Sequence, residues 1–128
     1  MVSILLVCQP GLGQISLFTI VSAVPQAKVV AKAEDADTAL HLAQQLQPDV
    51  LLVDAIFLQD EVFRLLKQIK KKHLKIICVV LTSIITSSRN AALFQEGADF
   101  VVYDRNPERE LPLILEYIQT YQRNRPSN

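Results

Sequence analysis

Gln47-Pro48-Asp49-Val50-Leu51-Leu52-Val53-Asp54 is the stretch whose reading decides the fold. Pro48 ends whatever helix precedes it, an unbroken apolar run follows, and a carboxylate closes the run. Apolar residues at every position, rather than at alternate ones, suit a parallel strand covered on both faces. Parallel neighbours need a crossover of about a dozen residues or more, usually a helix. The chain on either side of this segment therefore has to alternate between strand and helix.

It does. Ser3–Cys8, Lys28–Ala33, Ile76–Leu81 and Phe100–Tyr103 are short runs of the same kind, rich in Val, Ile and Leu. The segments between them carry helical spacing. Leu17, Ile20, Val21 and Val24 form one stripe, and Ala39, Leu40, Ala43 and Leu46 form another, with Asp35 or Asp37 as its cap. Val62, Leu65, Leu66 and Ile69 mark a third helix over Asp60–His73. A fourth starts near Ser87 or Ser88 and stops at Gly97. Leu111, Ile114, Leu115 and Ile118 mark the fifth, with Pro112 expected in its first turn and Pro107–Glu110 expected as a separate turn. The pattern predicts an α/β fold, (βα)5, in which right-handed crossovers wind a five-stranded parallel sheet in both directions.

Composition agrees with a single core. The chain has 128 residues, 50% of them hydrophobic, and thirteen basic residues balance thirteen acidic ones. Zero net charge argues against a footprint on nucleic acid or anionic membrane. No apolar run reaches the ~18 residues of a membrane span. Met1–Cys8 has no basic leader and meets Gln9-Pro10-Gly11 at once, so it does not read as a signal peptide. Two cysteines make no disulfide framework, which points to a reducing cytoplasm. Cys8 and Cys78 fall on strands one and four, about 9–10 Å apart at ~4.8 Å per strand, too far to bridge.

In an open parallel sheet, ligands sit at the carboxyl ends of the strands. Those ends carry Cys8-Gln9, Asp54, Thr82-Ser83 and Tyr103-Asp104. A carboxylate at the tip of the central strand either caps the next turn or does chemistry in the crevice. Position alone leaves both open.

Gln47–Asp54 resembles the segment of response-regulator receiver domains that ends in the phosphoacceptor aspartate. Val79-Val80-Leu81-Thr82-Ser83 is similar to that family's fourth strand with its switch hydroxyl. Glu96-Gly97-Ala98-Asp99-Phe100-Val101-Val102-Tyr103 is similar to its G-A-D-x-Y-L-x-K segment, and Val29–Ala43 to its second strand and following helix. The resemblance covers residues 3 to about 120 in order and spacing. It implies a flavodoxin-like sheet of strand order 2-1-3-4-5, a receiver-like domain over residues 1–121, and a polar tail or linker start over residues 122–128. It makes Asp54 the candidate phosphoacceptor, and Thr82 and Phe100 the switch pair. It assigns a partner face between the fourth helix and the fifth strand and helix, with Phe100, Tyr103, Asp104 and Arg105 on it.

The departures from the family are chemical. Two adjacent carboxylates that hold Mg²⁺ in the family fall here on Cys8 and Gln9. The family's strand-five lysine falls on Tyr103, allowing one deletion after Asp99, or on Asp104 without it. The family's Pro and Gly after the phosphoacceptor are missing from Ala55–Val62, so that loop should follow a different path. Phosphoryl transfer to a carboxylate depends on neutralising charge. The expectation is therefore a degenerate pseudo-receiver in two-component (phosphorelay) signalling, not an enzyme. Its Asp54 would be phosphorylated weakly or not at all. It would use no Mg²⁺ or other cofactor and act through a protein partner: a histidine kinase, a phosphotransfer protein or an output protein. A homodimer is compatible with this. With no lysine or metal beside it, Asp54 should carry an uncompensated desolvation cost.

An alternative starts from Gly11-Leu12-Gly13, which imitates the opening of a dinucleotide-binding fingerprint, with Glu34 about where a ribose-binding acid belongs. It would make a small Rossmann-like nucleotide-binding regulatory domain. Ser16 replaces the third glycine, and Cys8-Gln9-Pro10 loosens the turn that the fingerprint needs tight. A hydrolase reading fails because His41 and His73 lie away from Ser83, Ser87 and Ser88. The basic run Arg64, Lys67, Lys70, Lys71, Lys72 and Lys75 reads as a solvated helix end, with a docking patch for an acidic partner as the alternative.

Overall fold

A computed structural model describes residues 1–83, 86–103 and 107–124. Strands β1 (Val2–Val7), β2 (Ala27–Ala33), β3 (Val50–Asp54), β4 (Ile77–Thr82) and β5 (Phe100–Tyr103) form one sheet of order β2-β1-β3-β4-β5. Every neighbouring pair is parallel. Helices α1 (Leu12–Ser22), α2 (Ala36–Leu46), α3 (Ala55–Leu58), α4 (Glu61–Lys71), α5 (Ser87–Glu96) and α6 (Pro107–Asn124) connect and follow the strands.

The sheet separates two cores. One face packs Leu5, Val7, Leu51, Val53, Cys78 and Val80 against apolar residues of α2, α3, α4 and α5. The other packs Ile4, Leu6, Cys8, Leu52, Val79 and Leu81 against α1 and α6. Val50–Val53 is buried throughout because its side chains feed both cores in turn. Cys8 and Cys78 are free and buried, and the sheet lies between them.

Local chemistry sets the boundaries. Asp35 caps α2: its Oδ1 accepts the Thr38 N–H at 2.7 Å and its Oδ2 accepts the Thr38 hydroxyl at 2.9 Å. Those bonds favour the ionised form and lower the Asp35 pKa. Gln47 ends α2 in the left-handed region at φ 45°, just before Pro48. Gly97 ends α5 at φ +128°, which suits glycine. Gln26 (φ 68°), Gln59 (φ 53°) and His73 (φ 56°) are the other described non-glycine residues with positive φ.

Two expectations are corrected. Ala55–Leu58, expected as loop, is a one-turn helix. Its cap is Asp54, and so short a helix leaves no apolar period to read. Helix α5 starts at Ser87, as the sequence predicts, and Thr86 caps it, accepting the Arg89 N–H at 3.2 Å. Pro107–Asn124 is one continuous helix, with Pro112 inside it rather than in a first turn of its own. Pro107 takes the first helical position, where a missing N–H costs nothing. Pro112 removes one rung further in, but Leu111, Leu115 and Ile118 are at most 1% exposed and hold the helix on the sheet across the gap. The helix runs to Asn124, so its last turn enters the stretch read as a tail.

Candidate functional site

The register lines up the strand ends. Val7 pairs with Val53, Asp54 with Leu81, and Thr82 with Tyr103. Cys8, Asp54, Thr82 and Tyr103 therefore share the carboxyl edge of the sheet. Gln9 is exposed beside Cys8.

Asp54 does what a strand-ending carboxylate does at a helix start. Its Oδ1 accepts the N–H of Ile56 at 2.9 Å and of Phe57 at 3.4 Å, which caps α3. The side chain is half-buried. The uncompensated desolvation expected of Asp54 is thus offset by two backbone donors. Of the two readings, the geometry shows the cap.

Cys8 is 1% exposed and its N–H donates to the Ala33 carbonyl at 3.2 Å. Burial, reinforced by the charge of Asp54, pushes its thiol up to about 11; a hydrogen bond with the Gln14 side chain works weakly the other way. Cys8 is therefore an un-ionised thiol at neutral pH.

Thr82 is buried, at 2% exposure. Side chains alternate along a strand, so Thr82 and Tyr103 project to the α4–α5 side of the sheet while Phe100 projects to the α6 side. Phe100 is level with Val79, three residues from the Thr82 rung. It meets Tyr117 edge to face, ring centroids 5.9 Å apart. The structure thus brings Thr82 beside Tyr103 and sets Phe100 against α6. Asp104 and Arg105 lie outside the described residues.

Beside Thr82 opens a cavity of about 350 Å³, lined by Ala55, Ile56, Gln59, Asp60, Thr82, Ser83 and Arg89. Arg89 stands over the Phe63 ring, 5.5 Å from its centroid, and its Nε is buried with no hydrogen-bond partner. Sequence reading passed over Arg89. Its signal was a cation in the first turn of a helix that has no acidic residue there, against the usual preference. Gly11, singled out for a nucleotide fingerprint, precedes α1 at φ +111°, which gives it a backbone reason of its own; Gly13 lies within the helix. Among the described residues, no group of three or more His, Cys, Asp or Glu side chains could hold a metal ion. Among them also, no helix is long and apolar enough to cross a membrane.

A five-stranded parallel sheet in the order β2-β1-β3-β4-β5, with an aspartate at the tip of its central strand, is the flavodoxin-like fold of response-regulator receiver domains. The chain superposes on the signal receiver domain of NarL from Mycobacterium tuberculosis with a TM-score of 0.83 at 18% identity, covering 92% of this chain and 96% of that one. It superposes on the response regulator domain of CheB from Thermotoga maritima with a TM-score of 0.81 at 23% identity, covering 98% and 99%. In sequence it is similar to the transcriptional regulatory protein LiaR of Bacillus subtilis (strain 168), 28% identical over 98 residues, which is 77% of this chain and 46% of LiaR. The chain thus spans about half the length of that relative. No protein-family model matches it.

Proposed function

We infer that this chain is a receiver-fold signalling module of a two-component phosphorelay. It works in the cytoplasm by protein–protein contact, catalyses no reaction, and has its Asp54 phosphorylated weakly or not at all. The observation that carries this is the donor set at the tip of β1. Mg²⁺ takes hard oxygen donors, carboxylates above all. Cys8 offers a buried thiol with its pKa near 11, and Gln9 a neutral amide. Asp54 is one carboxylate, with an oxygen already accepting two backbone N–H groups. That set does not fit Mg²⁺. Tyr103, at the lysine position, brings no cation to the rung it shares with Thr82.

A signal that does not enter as charge on Asp54 has to be read from surface. The surface proposed is that of α5, β5 and α6, with Phe100 and Tyr103 on it and Asp104 and Arg105 next in sequence. Leu113, Tyr117 and Tyr121 stand exposed at four-residue spacing along α6, extending the apolar area beside Phe100. Its partner is a histidine kinase, a phosphotransfer protein, an output protein or a second copy of the chain. The domain itself binds neither nucleic acid nor membrane.

Intact-mass spectrometry after incubation with acetyl phosphate and Mg²⁺, with Asp54→Ala as control, tests the first half of this reading. Absence of an added phosphoryl group supports it; substantial labelling lost in Asp54→Ala overturns it. Capture of a partner by wild type, Asp54→Ala, Asp54→Glu and Tyr103→Ala tests the second. Equal capture by the first three and loss in the last is the expected result. Loss in Asp54→Ala with a silent Tyr103→Ala identifies a working phospho-switch and refutes the proposal.

A further inference from the structure

Lys67, Lys70, Lys71, Lys72 and Lys75 are all exposed and crowd the end of α4. Complementing the helix dipole accounts for cations in a last turn, and Lys70 and Lys71 occupy it. Lys67 lies a turn earlier, and Lys72 and Lys75 lie past the helix. The helices α1, α2 and α5 run the same way against the sheet yet carry no basic residue in their last turns. The concentration is therefore particular to this corner. Among the described residues, Arg64 forms ion pairs with Asp37 and Glu61, and none of the five lysines is in one.

One of these lysines, Lys70, lines a groove, and the other four lie on or just past the same helix end. Between α4 and α5, at the amino end of β4, a cavity of about 280 Å³ is lined by Leu66, Ile69, Leu74, Ile76 and Phe94, with Lys70 beside them. Phe94 is 49% exposed, although its neighbour Leu93 is fully buried. The Lys70 stem lies along Gly97, its Cδ 3.9 Å from where a Cβ would sit there, with the side chain still exposed. The acids nearby are Asp49, Asp99 and Glu96, and the first two line a neighbouring cavity together with Lys75. Asp99 lines the groove and accepts the Cys78 N–H at 2.8 Å, and Glu96 is half-buried on α5.

We propose that this groove docks an acidic polypeptide segment through one apolar side chain. The apolar side chain enters between Phe94 and Leu74, and flanking carboxylates meet Lys67, Lys70, Lys71, Lys72 and Lys75. The sign of the rim selects an acidic partner. The apolar walls and half-exposed phenylalanine select a polypeptide over a phosphate backbone or lipid headgroup, which would satisfy the lysines and leave the groove empty. The site lies at the opposite end of the sheet from Asp54 and does not rest on the receiver reading.

The test is selection of short random displayed peptides on the full chain, followed by titration of the synthetic winners. The expected winners carry several Asp or Glu residues around a Phe, Leu or Trp. Their affinity should fall about tenfold or more in Lys70→Glu/Lys71→Glu and in Phe94→Ala, and be unchanged in Asp54→Ala. Circular dichroism melts confirm that each variant folds, and Lys70→Gln/Lys71→Gln supplies a milder charge change with an intermediate loss. Winners without acids, or equal binding to the charge-reversed protein, overturn the proposal. So does tighter binding of single-stranded DNA or phosphatidylserine vesicles that ignores Phe94→Ala. Salt-sensitive self-association abolished by Lys70→Glu/Lys71→Glu makes a second copy the occupant and overturns it too.

Discussion

Asp49 and Asp54 stand at the two ends of the same central segment and do different work. At the amino end, the Asp49 Oδ2 accepts the Ser3 N–H at 2.8 Å and the Ser3 hydroxyl at 3.1 Å, which ties it to β1. Its own N–H donates to the Ser3 Oγ at 3.0 Å, and its carbonyl accepts the Ile77 N–H at 3.0 Å, which ties it to β4. Asp99 repeats the device between β4 and β5, accepting the Cys78 N–H and donating its own N–H to the Cys78 carbonyl, each at 2.8 Å. At the carboxyl end, the hydrogen bonds described for Asp54 go to the turn that follows it. One end of the sheet uses its aspartates to fasten strands, and the other leaves its aspartate at the rim of a crevice.

Removing the fastener at Asp49 should cost most. Asp49→Ala strands the Ser3 N–H in a half-buried site, and a loss of about 2–3 kcal/mol is expected in urea melts. Asp99→Ala removes a single charge-assisted bond and should cost about 1–2 kcal/mol by the same measurement. Asp54→Ala removes a helix cap and should cost about 0.5–1 kcal/mol, with Asp54→Asn near zero because the amide oxygen still caps. If Asp54→Ala matches or exceeds Asp49→Ala, the two ends are not different in kind.

The thiols extend the contrast, since each sits beside the aspartate of its own end. Burial, then the charge of Asp54, raises Cys8 from 9.0 to about 11. Burial, then Asp99, raises Cys78 from 9.0 to about 12. The folded state favours the protonated thiols, so their contribution is complete below pH 9 and is lost as pH rises toward 11 and 12. Stability measured from pH 8 upward should therefore fall less steeply in Cys8→Ala/Cys78→Ala than in wild type. At neutral pH a thiol reagent should label neither residue in the folded chain and both in urea.

Much of this was legible from residue order. Unbroken apolar runs as short as Val50–Val53 suit strands covered on both faces, and five of them alternating with helical stripes point to parallel pairing and helical crossovers. The tip residues followed from where those runs stop. What stayed hidden was set by single contacts rather than by periodicity. The short helix Ala55–Leu58 depends on the two N–H groups that Asp54 accepts. Arg89 enters the cavity wall only because α5 begins at Ser87 and turns it toward Phe63. Pro112 reads locally as a first-turn proline that sets the helix start, and the core contacts of Leu111 and Leu115 that let the helix begin earlier come from distant strands. The opposed projection of Thr82 and Phe100 needed the β4–β5 register, which no pattern within either strand contains.

Gln26, Gln47 and Gln59 hold backbone conformations that glycine reaches at no steric cost, in a chain with only three glycines. For a residue with a Cβ each such position costs on the order of 1–2 kcal/mol. In evolutionary terms these turns are unspent reserve. Gln26 and Gln47 can be relaxed to glycine without touching the core, the cavity beside Thr82 or the groove at Lys70, whereas Gln59 lines the first of these cavities. A lineage carrying them can therefore absorb destabilising changes on its binding surfaces, and so change partners, while the sheet beneath stays as it is.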